Sequence, residues 1–297
     1  MENKKNNKGL IAIIIILIIC VLGIIGYIIY DKLNEKEEKN NNEINPTSTI
    51  TTTIPTTESI PLEENIVYDF NEGIEPIAKE LEKQLVTSDN IFGLYYDKIT
   101  INDTENTNFI KFNIRQYILD NNINYKDVNN ECGIEITKDN GYVISKDTIN
   151  KYIQEKYNTT NSYDMNTNEY IHFGTSIYFI TSDNDNYIIG CRGQSGDDIK
   201  IYNKHKKIET EEDKIYLYDN AVGCHSWNGI YCTKTVDSKT TEDKIFDSND
   251  ITENINDYNL AAKYVFDNLL DKTNTYKHTF IKAEDGNYYW YSTEIVK

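Results

Sequence analysis

The sequence predicts an α+β fold carried behind one transmembrane helix and a polar stalk. Three observations predict it. An uncharged apolar run lies near the amino terminus, and helical spacings occupy the folded part up to about residue 160. Beyond residue 170 the apolar period drops to two, and Ile- and Tyr-rich stretches alternate with Gly, Asn and Asp.

The run LIAIIIILIICVLGIIGYIIY, Leu10 to Tyr30, holds no charged side chain over 21 positions. At a rise of ~1.5 Å per residue it makes about 31 Å of helix, the thickness of a bilayer's hydrocarbon core. A helix is required there, because lipid offers no partner to free backbone groups. A core helix of a soluble domain would be shorter and carry a polar stripe. A cleaved signal peptide would have an apolar stretch of roughly 7–15 residues followed by an A-x-A-like site. This run is longer and no such site follows. Cys20 raises a lipoprotein reading, but Ile19 stands where cleavage needs a small residue.

The expectation is therefore an uncleaved anchor that partners the lipid bilayer through residues 10–30. Lys4, Lys5 and Lys8 on one flank balance Lys32, Lys36 and Lys39 on the other, so lysine counts alone do not orient it. Residues 1–9 form a short basic head, and the bulk of the chain follows the anchor. This arrangement favours a cytosolic amino terminus and an extracellular carboxyl-terminal domain, single-pass at the cell membrane.

Residues 31–65 read as a disordered stalk. Pro46, Pro55 and Pro61 fall here, and seven of the twelve residues from Pro46 to Thr57 are threonine. Such a stretch has little apolar surface to offset the entropy of ordering it. As a flexible chain it spans about 5–6 Å × √n, roughly 30–35 Å.

Residues 66–297 read as one extracellular domain, divisible into a helical lobe 66–160 and a sheet lobe 161–297. EPIAKELEKQLV places Pro76 in a first turn and Ile77, Ala78, Leu81 and Leu85 along one face. NFIKFNIRQYILD repeats the spacing with Ile110, Ile114, Tyr117 and Ile118. Ser145 is placed to cap SKDTINKYIQEKY, whose Ile149, Tyr152 and Ile153 share a side. IHFGTSIYFI, NYIIG, DIKIYN, KIYLYD and GIYCTKTV then predict the strands of an antiparallel, Tyr-rich sheet. YNLAAKYVFDNLLDK is a further helix, and TYKHTFIKAEDGNYYWYSTEI is a closing hairpin turning at Asp285-Gly286-Asn287. With 24 tyrosines, many sheet faces should be half wet, since tyrosine is apolar along its ring and polar at its tip.

The chain has net charge −18; subtracting the +2 of residues 1–30 leaves −20 on residues 31–297. That surface repels phosphates and anionic headgroups, which excludes nucleic acid as a partner.

In order, the chain presents an apolar anchor, a polar stalk, YYDKITIND before a helix, ISKDTINKYIQEKY, a Tyr-rich sheet with GCRG, DKIYLYDNAV and YKHTFIKAEDGNYYWYS. This resembles a broad group of uncharacterised, single-pass, membrane-anchored surface proteins of AT-rich Gram-positive bacteria. Lysine outnumbers arginine 28 to 2, and Asn, Ile and Tyr abound, consistent with that source. The motifs are loose and none is catalytic. In that group a Cys-Pro, a Tyr-rich strand and a Cys-Gly-Gly imply a local disulfide. Here Cys191 in GCRG matches the second cysteine, but IYFITSDND supplies no first one.

GCHSWNGIYC, Gly223 to Cys232, admits three chemistries: thiol catalysis, metal binding or a covalent staple. An exported domain places Cys132, Cys191, Cys224 and Cys232 on an oxidising side, where an even count reads first as disulfides. Cys224 and Cys232 flank Asn228-Gly229, a turn-forming pair, so their side chains are expected to meet across a hairpin. Cys132 and Cys191 are left as the second pair. Neighbours in a strand point to opposite faces, so Cys224 and His225 make a poor dyad, and nothing singles out His172, His205 or His278 as a base.

Zinc spacings are missing, and GQSGD lacks the spacing of a nucleophile elbow. DMNTNEYIHFGT offers oxygens at positions 1, 3 and 5 of a calcium loop but lacks Gly at 6 and Glu at 12. No catalytic, cofactor or metal residue is assigned. The expected function is a non-catalytic interaction domain that contacts protein or cell envelope. An envelope-acting hydrolase with scattered carboxylates and an extracellular ligand-sensing domain are the alternatives. A cleft with converging acids or a histidine would favour the enzyme, and a flat Tyr-rich face would favour binding.

Overall fold

Alternating Ile and Tyr side chains build two antiparallel sheets where the sequence predicted one. The computed structural model describes residues 66–69, 73–86, 95–123, 136–166, 168–173, 176–194, 199–226, 228–236, 241–251 and 255–296. The anchor bounded by Leu10 and Tyr30, the head and the stalk lie outside the described residues. Among the described residues no helix is long and apolar enough to cross a membrane. All of them belong to one compact unit, Thr57–Lys297.

The larger sheet contains β1 (Val67–Asp69), β2 (Lys98–Thr100), β7 (Ile199–Glu211), β8 (Lys214–Ser226), β9 (Ile230–Thr233), β10 (Lys244–Asp247), β11 (Asn274–Lys282) and β12 (Tyr288–Val296). Its order is β1-β7-β8-β11-β12-β2, with β9 and β10 extending it from β8. The smaller sheet is β3 (Tyr142–Ser145), β6 (Asn186–Gln194), β5 (Ser176–Ser182) and β4 (Glu169–Phe173), in that order. β1, β2 and β3 come from the segment expected to be a helical lobe, yet β1 and β2 pair with β7 and β12, and β3 pairs with β6. Segments 66–160 and 161–297 therefore share both sheets. These early strands are only three or four residues long, too short for a period of two to stand out.

The helices form where their spacing and caps require. α1 (Glu75–Glu82) carries Pro76 in its first turn and buries Ala78 and Leu81. It is shorter than the predicted helix: Leu85 still reaches the core, from a tight turn in which its N–H donates to Glu82 O at 2.8 Å. Asn106 caps α2 (Thr107–Asp120) by accepting from the Phe109 N–H. Ser145 caps α3 (Lys146–Tyr157) by accepting from Thr148, and Asn158 ends it in the left-handed conformation. Asp257 caps α4 (Tyr258–Asn268) by accepting from Asn259 and Leu260. Phe109, Ile114, Leu81, Leu217, Phe280 and Trp290 belong to the main core. A second core gathers Ala261 and Val265 of α4 with Val222, Cys224 and Phe246.

Two bulges decide which side chains face inward. His205 pairs with Asp219 and Lys207 with Tyr218, so Lys206 is an extra residue in β7. Without it, His205 and Ile208 would lie on opposite faces; with it, both face inward, Ile208 buried and His205 partly so. Thr279 pairs with Ser292 and Phe280 with Trp290, making Tyr291 the extra residue of β12. That slip sends both Trp290 and Thr293 into the interior.

Candidate functional site

The hairpin GCHSWNGIYC is a staple. Cys224 and Cys232 are direct cross-strand partners, with the sulfurs 2.00 Å apart and the Cα atoms 4.1 Å apart. Asn228 and Gly229 turn the chain with φ of 52° and 119°. His225 points to the opposite face from Cys224, where its ring stacks on Tyr231 at 4.7 Å. Gly223 leaves no room for a side chain, since a Cβ there would sit 2.2 Å from the Val236 carbonyl oxygen. Both sulfurs are consumed in the bond, so neither cysteine offers a nucleophile or a metal ligand.

Reduction, or Cys224→Ser with Cys232→Ser, should lower stability by at most about 2–3 kcal/mol, because the closed loop is short. Urea unfolding with and without reductant reads this directly. A non-reducing digest should contain a peptide joining the two cysteines, and free thiols at both would end the staple. Cys132 lies outside the described residues, as does the side chain of Cys191 on β6, and so does the second predicted pair.

The oxygens of the calcium-like loop are already committed. Asp164 Oδ1 accepts from Lys146 Nζ at 2.6 Å and Oδ2 from Asn166 at 2.9 Å. Asp183 of SDNDN accepts from the backbone N–H groups of Asp185 and Asn186, as a surface turn does. Among the described residues no three His, Cys, Asp or Glu side chains are arranged to hold a metal ion.

Sequence reasoning missed a buried polar cluster on the inner face of the larger sheet. Asp219 of β8 is fully buried at its centre. Its Oδ1 accepts from His205 Nδ1 at 2.8 Å and its Oδ2 from the Tyr95 hydroxyl at 3.0 Å. Asn203 Nδ2 bridges Glu82 Oε1, at 2.7 Å, and Asp219 Oδ2, at 3.3 Å. His205 Nε2 lies 3.6 Å from Glu82 Oε2, which ties α1 to the sheet. On the far side His278 Nε2 is 3.6 Å from Asp219 Oδ2, too long for a hydrogen bond. Its Nδ1 meets Thr293 Oγ1 at 2.8 Å, and the same oxygen accepts from the Trp290 indole at 2.9 Å.

The two histidines are driven apart. Burial works against a charge on His205, but hydrogen bonds to Asp219 and Glu82, with their negative charges, outweigh it and raise the ring to about 10. Burial pushes His278 down to about 4, against a smaller opposing pull from Asp219. Burial also resists ionisation of Asp219, yet the His205 hydrogen bond and both imidazoles hold it below the usual carboxylate range. At neutral pH the set is imidazolium, carboxylate and neutral imidazole. His205 already holds its proton and has none to accept, while His278 is sealed from solvent. The arrangement ties elements together rather than moving protons for a reaction.

Two open features remain. α4 and the disulfide cover the outer face of the larger sheet at one end; at the other, Tyr216 and Tyr218 of β8 are only partly buried. Lys277 lies over the Tyr216 ring at 4.0 Å and Lys207 over the Tyr218 ring at 4.4 Å. Glu211 and Glu209 accept from the two hydroxyls at 2.5 and 2.6 Å. The second feature is a cavity of about 240 Å³ between α2 and β4. Asn108, Lys111, Phe112 and Arg115 of α2 line it at i, i+3, i+4 and i+7, which is one helix face. Tyr96 and the β4 residues Glu169, Tyr170 and Ile171 complete the wall.

Comparison with protein families, curated proteins and solved structures finds no match for this chain.

Proposed function

We propose that this chain is a single-pass cell-surface protein whose extracellular domain binds a protein or envelope partner without turning it over. The observation that carries the reading is the partly exposed end of the larger sheet, where Tyr216 and Tyr218 stand among Lys207, Lys277 and two glutamates. Rigid tyrosines offer a large contact area at low entropic cost, and the surrounding charges supply the polar contacts of an interface. The Cys224–Cys232 disulfide supports the address, since such bonds persist on the oxidising side of a membrane. The apolar run 10–30 supplies the anchor. In the buried Asp219 set His205 holds its proton at neutral pH, so a hydrolase there would have no histidine base.

Co-sedimentation of the chain with envelopes of the cell that makes it tests the binding face. Tyr216→Ser with Tyr218→Ser should weaken retention at least about tenfold, as loss of two interface tyrosines does. Unchanged retention sinks the assignment to this face. Protease treatment of intact cells should release the folded domain, and complete protection would overturn the orientation.

A further inference from the structure

We propose that Lys146 and Asn166 join in an intramolecular isopeptide bond, with Asp164 as the group that moves the protons. The bond would fasten α3 to the segment leading into β4, independently of the binding face described above.

The three side chains meet at one point. Lys146 Nζ donates to Asp164 Oδ1 at 2.6 Å and to Asn166 Oδ1 at 3.0 Å. Asn166 Nδ2 donates to Asp164 Oδ2 at 2.9 Å. One carboxylate therefore touches both the nucleophile and the leaving group, one oxygen on each. With a C=O bond of ~1.23 Å, the amide carbon stands about 3–4 Å from the amine, close to a near-attack distance. The lysine is the buried member: its side chain is 9% exposed, and Nζ lies 5.6 Å from the centre of the Tyr187 ring. Asp164 is half exposed, which gives ammonia a way out to water.

The backbone holds this set in place. Lys146 opens α3 directly after the Ser145 cap, and its N–H donates to the Asp185 carbonyl at 2.8 Å. One turn later, Asn150 donates to the Tyr163 carbonyl at 3.0 Å and accepts from the Tyr163 N–H at 2.6 Å. That double bond straps the segment around Tyr163 to the helix. Tyr163 and Met165 are buried, so alternation turns Asp164 and Asn166 to the same side. Well-oriented groups held in this way react with effective molarities of about 10⁵–10⁸ M.

The chemistry balances within the chain. Asp164 takes a proton from the Lys146 ammonium, and the freed lone pair bonds to Asn166 Cγ as the C=O π pair moves onto Oδ1. Asp164 passes the proton to Nδ2, the carbonyl re-forms, and the Cγ–Nδ2 bond breaks to release ammonia. The surplus proton on the lysine nitrogen leaves through Asp164, and the ammonia departs as ammonium. One C–N bond replaces another without oxidant, reductant or co-reactant. Lys146 holds Asp164 below the usual carboxylate range, so it is a weak base and the bond should form slowly after folding.

Mass spectrometry of the purified full-length chain, aged for weeks in non-ionic detergent at mildly alkaline pH, tests this. Most molecules should be lighter by one ammonia, about 17 Da, and a tryptic digest should hold a branched peptide uncut after Lys146. Lys146→Arg keeps the ion pair but removes the nucleophile, so the loss of ammonia should vanish. Asp164→Asn should slow bond formation at least about a hundredfold. Three results would overturn the proposal: full mass in the aged chain, an ammonia loss that persists in Lys146→Arg, or equal rates in Asp164→Asn and the parent.

Discussion

Asp219→Leu is expected to lower folding stability by about 3–5 kcal/mol, the cost of breaking a buried ion pair by removing one partner. The leucine would strip the His205 imidazolium of its Asp219 acceptor, leaving the mostly buried Glu82 carboxylate at 3.6 Å, and would take the acceptor from the Tyr95 hydroxyl and one acceptor from Asn203. Each stranded donor adds desolvation that water cannot reach to relieve. Asp219→Asn keeps the shape and one acceptor oxygen and should cost about half as much. The coupling is expected to show in a double variant: His205→Leu placed on Asp219→Leu should recover stability, because the orphaned cation leaves with the ring. Urea midpoints of the four proteins decide it. A loss under about 1 kcal/mol in Asp219→Leu would mean that the cluster does not hold α1 to the sheet.

The same cluster predicts a stability maximum near pH 6.5, the ordinary value of histidine. His205 is raised to about 10 in the fold, so its contribution is complete below pH 6.5 and is lost as pH climbs from there through 10. His278 is lowered to about 4, so its neutral ring suits the fold above pH 6.5, and stability drains as pH falls from 6.5 through 4. Asp219, held below its ordinary value, adds a further loss under about pH 4. At about 1.4 kcal/mol per unit, the alkaline limb has a ceiling of about 5 kcal/mol; solvent reaching His205 past Glu82 reduces it to about half. Unfolding measured from pH 4 to 10 should give a dome. His205→Gln should flatten its alkaline side and His278→Gln its acid side. An alkaline limb that survives His205→Gln would assign it to other groups.

Local features were legible in the chain because local physics sets them. Ser145 precedes an apolar face and caps α3; Pro76 opens α1; Asn228-Gly229 turns the stapled hairpin. Cys224 and Cys232 sit eight residues apart around that turn, so the staple needed no distant information. The closing hairpin followed from alternation on both sides of Asp285-Gly286-Asn287, where Gly286 takes φ of 84°. The division into two sheets was not legible. Strand edges supplied by three- and four-residue segments before residue 146 find partners that lie across the chain from them.

The sites were hidden for a related reason. Nothing near Asp219 in KIYLYDNAV marks it as the centre of a cluster, since Glu82, Tyr95 and His278 reach it from three other parts of the chain. His205 faces inward only because Lys206 bulges out of β7, and alternation read from sequence assumes an unbroken pleat. Arg115 had one local signal, its rarity. Which face of α2 would line a cavity depended on β4, more than fifty residues later. By itself the sequence determined the α+β class, the helices, most strands and the stapled hairpin, because caps, turns and periodicity act over a few residues. Tertiary structure alone decided the sheet partners, the charge states of the two histidines and the place of the cavity, because burial and electrostatic neighbours arise only when distant segments meet.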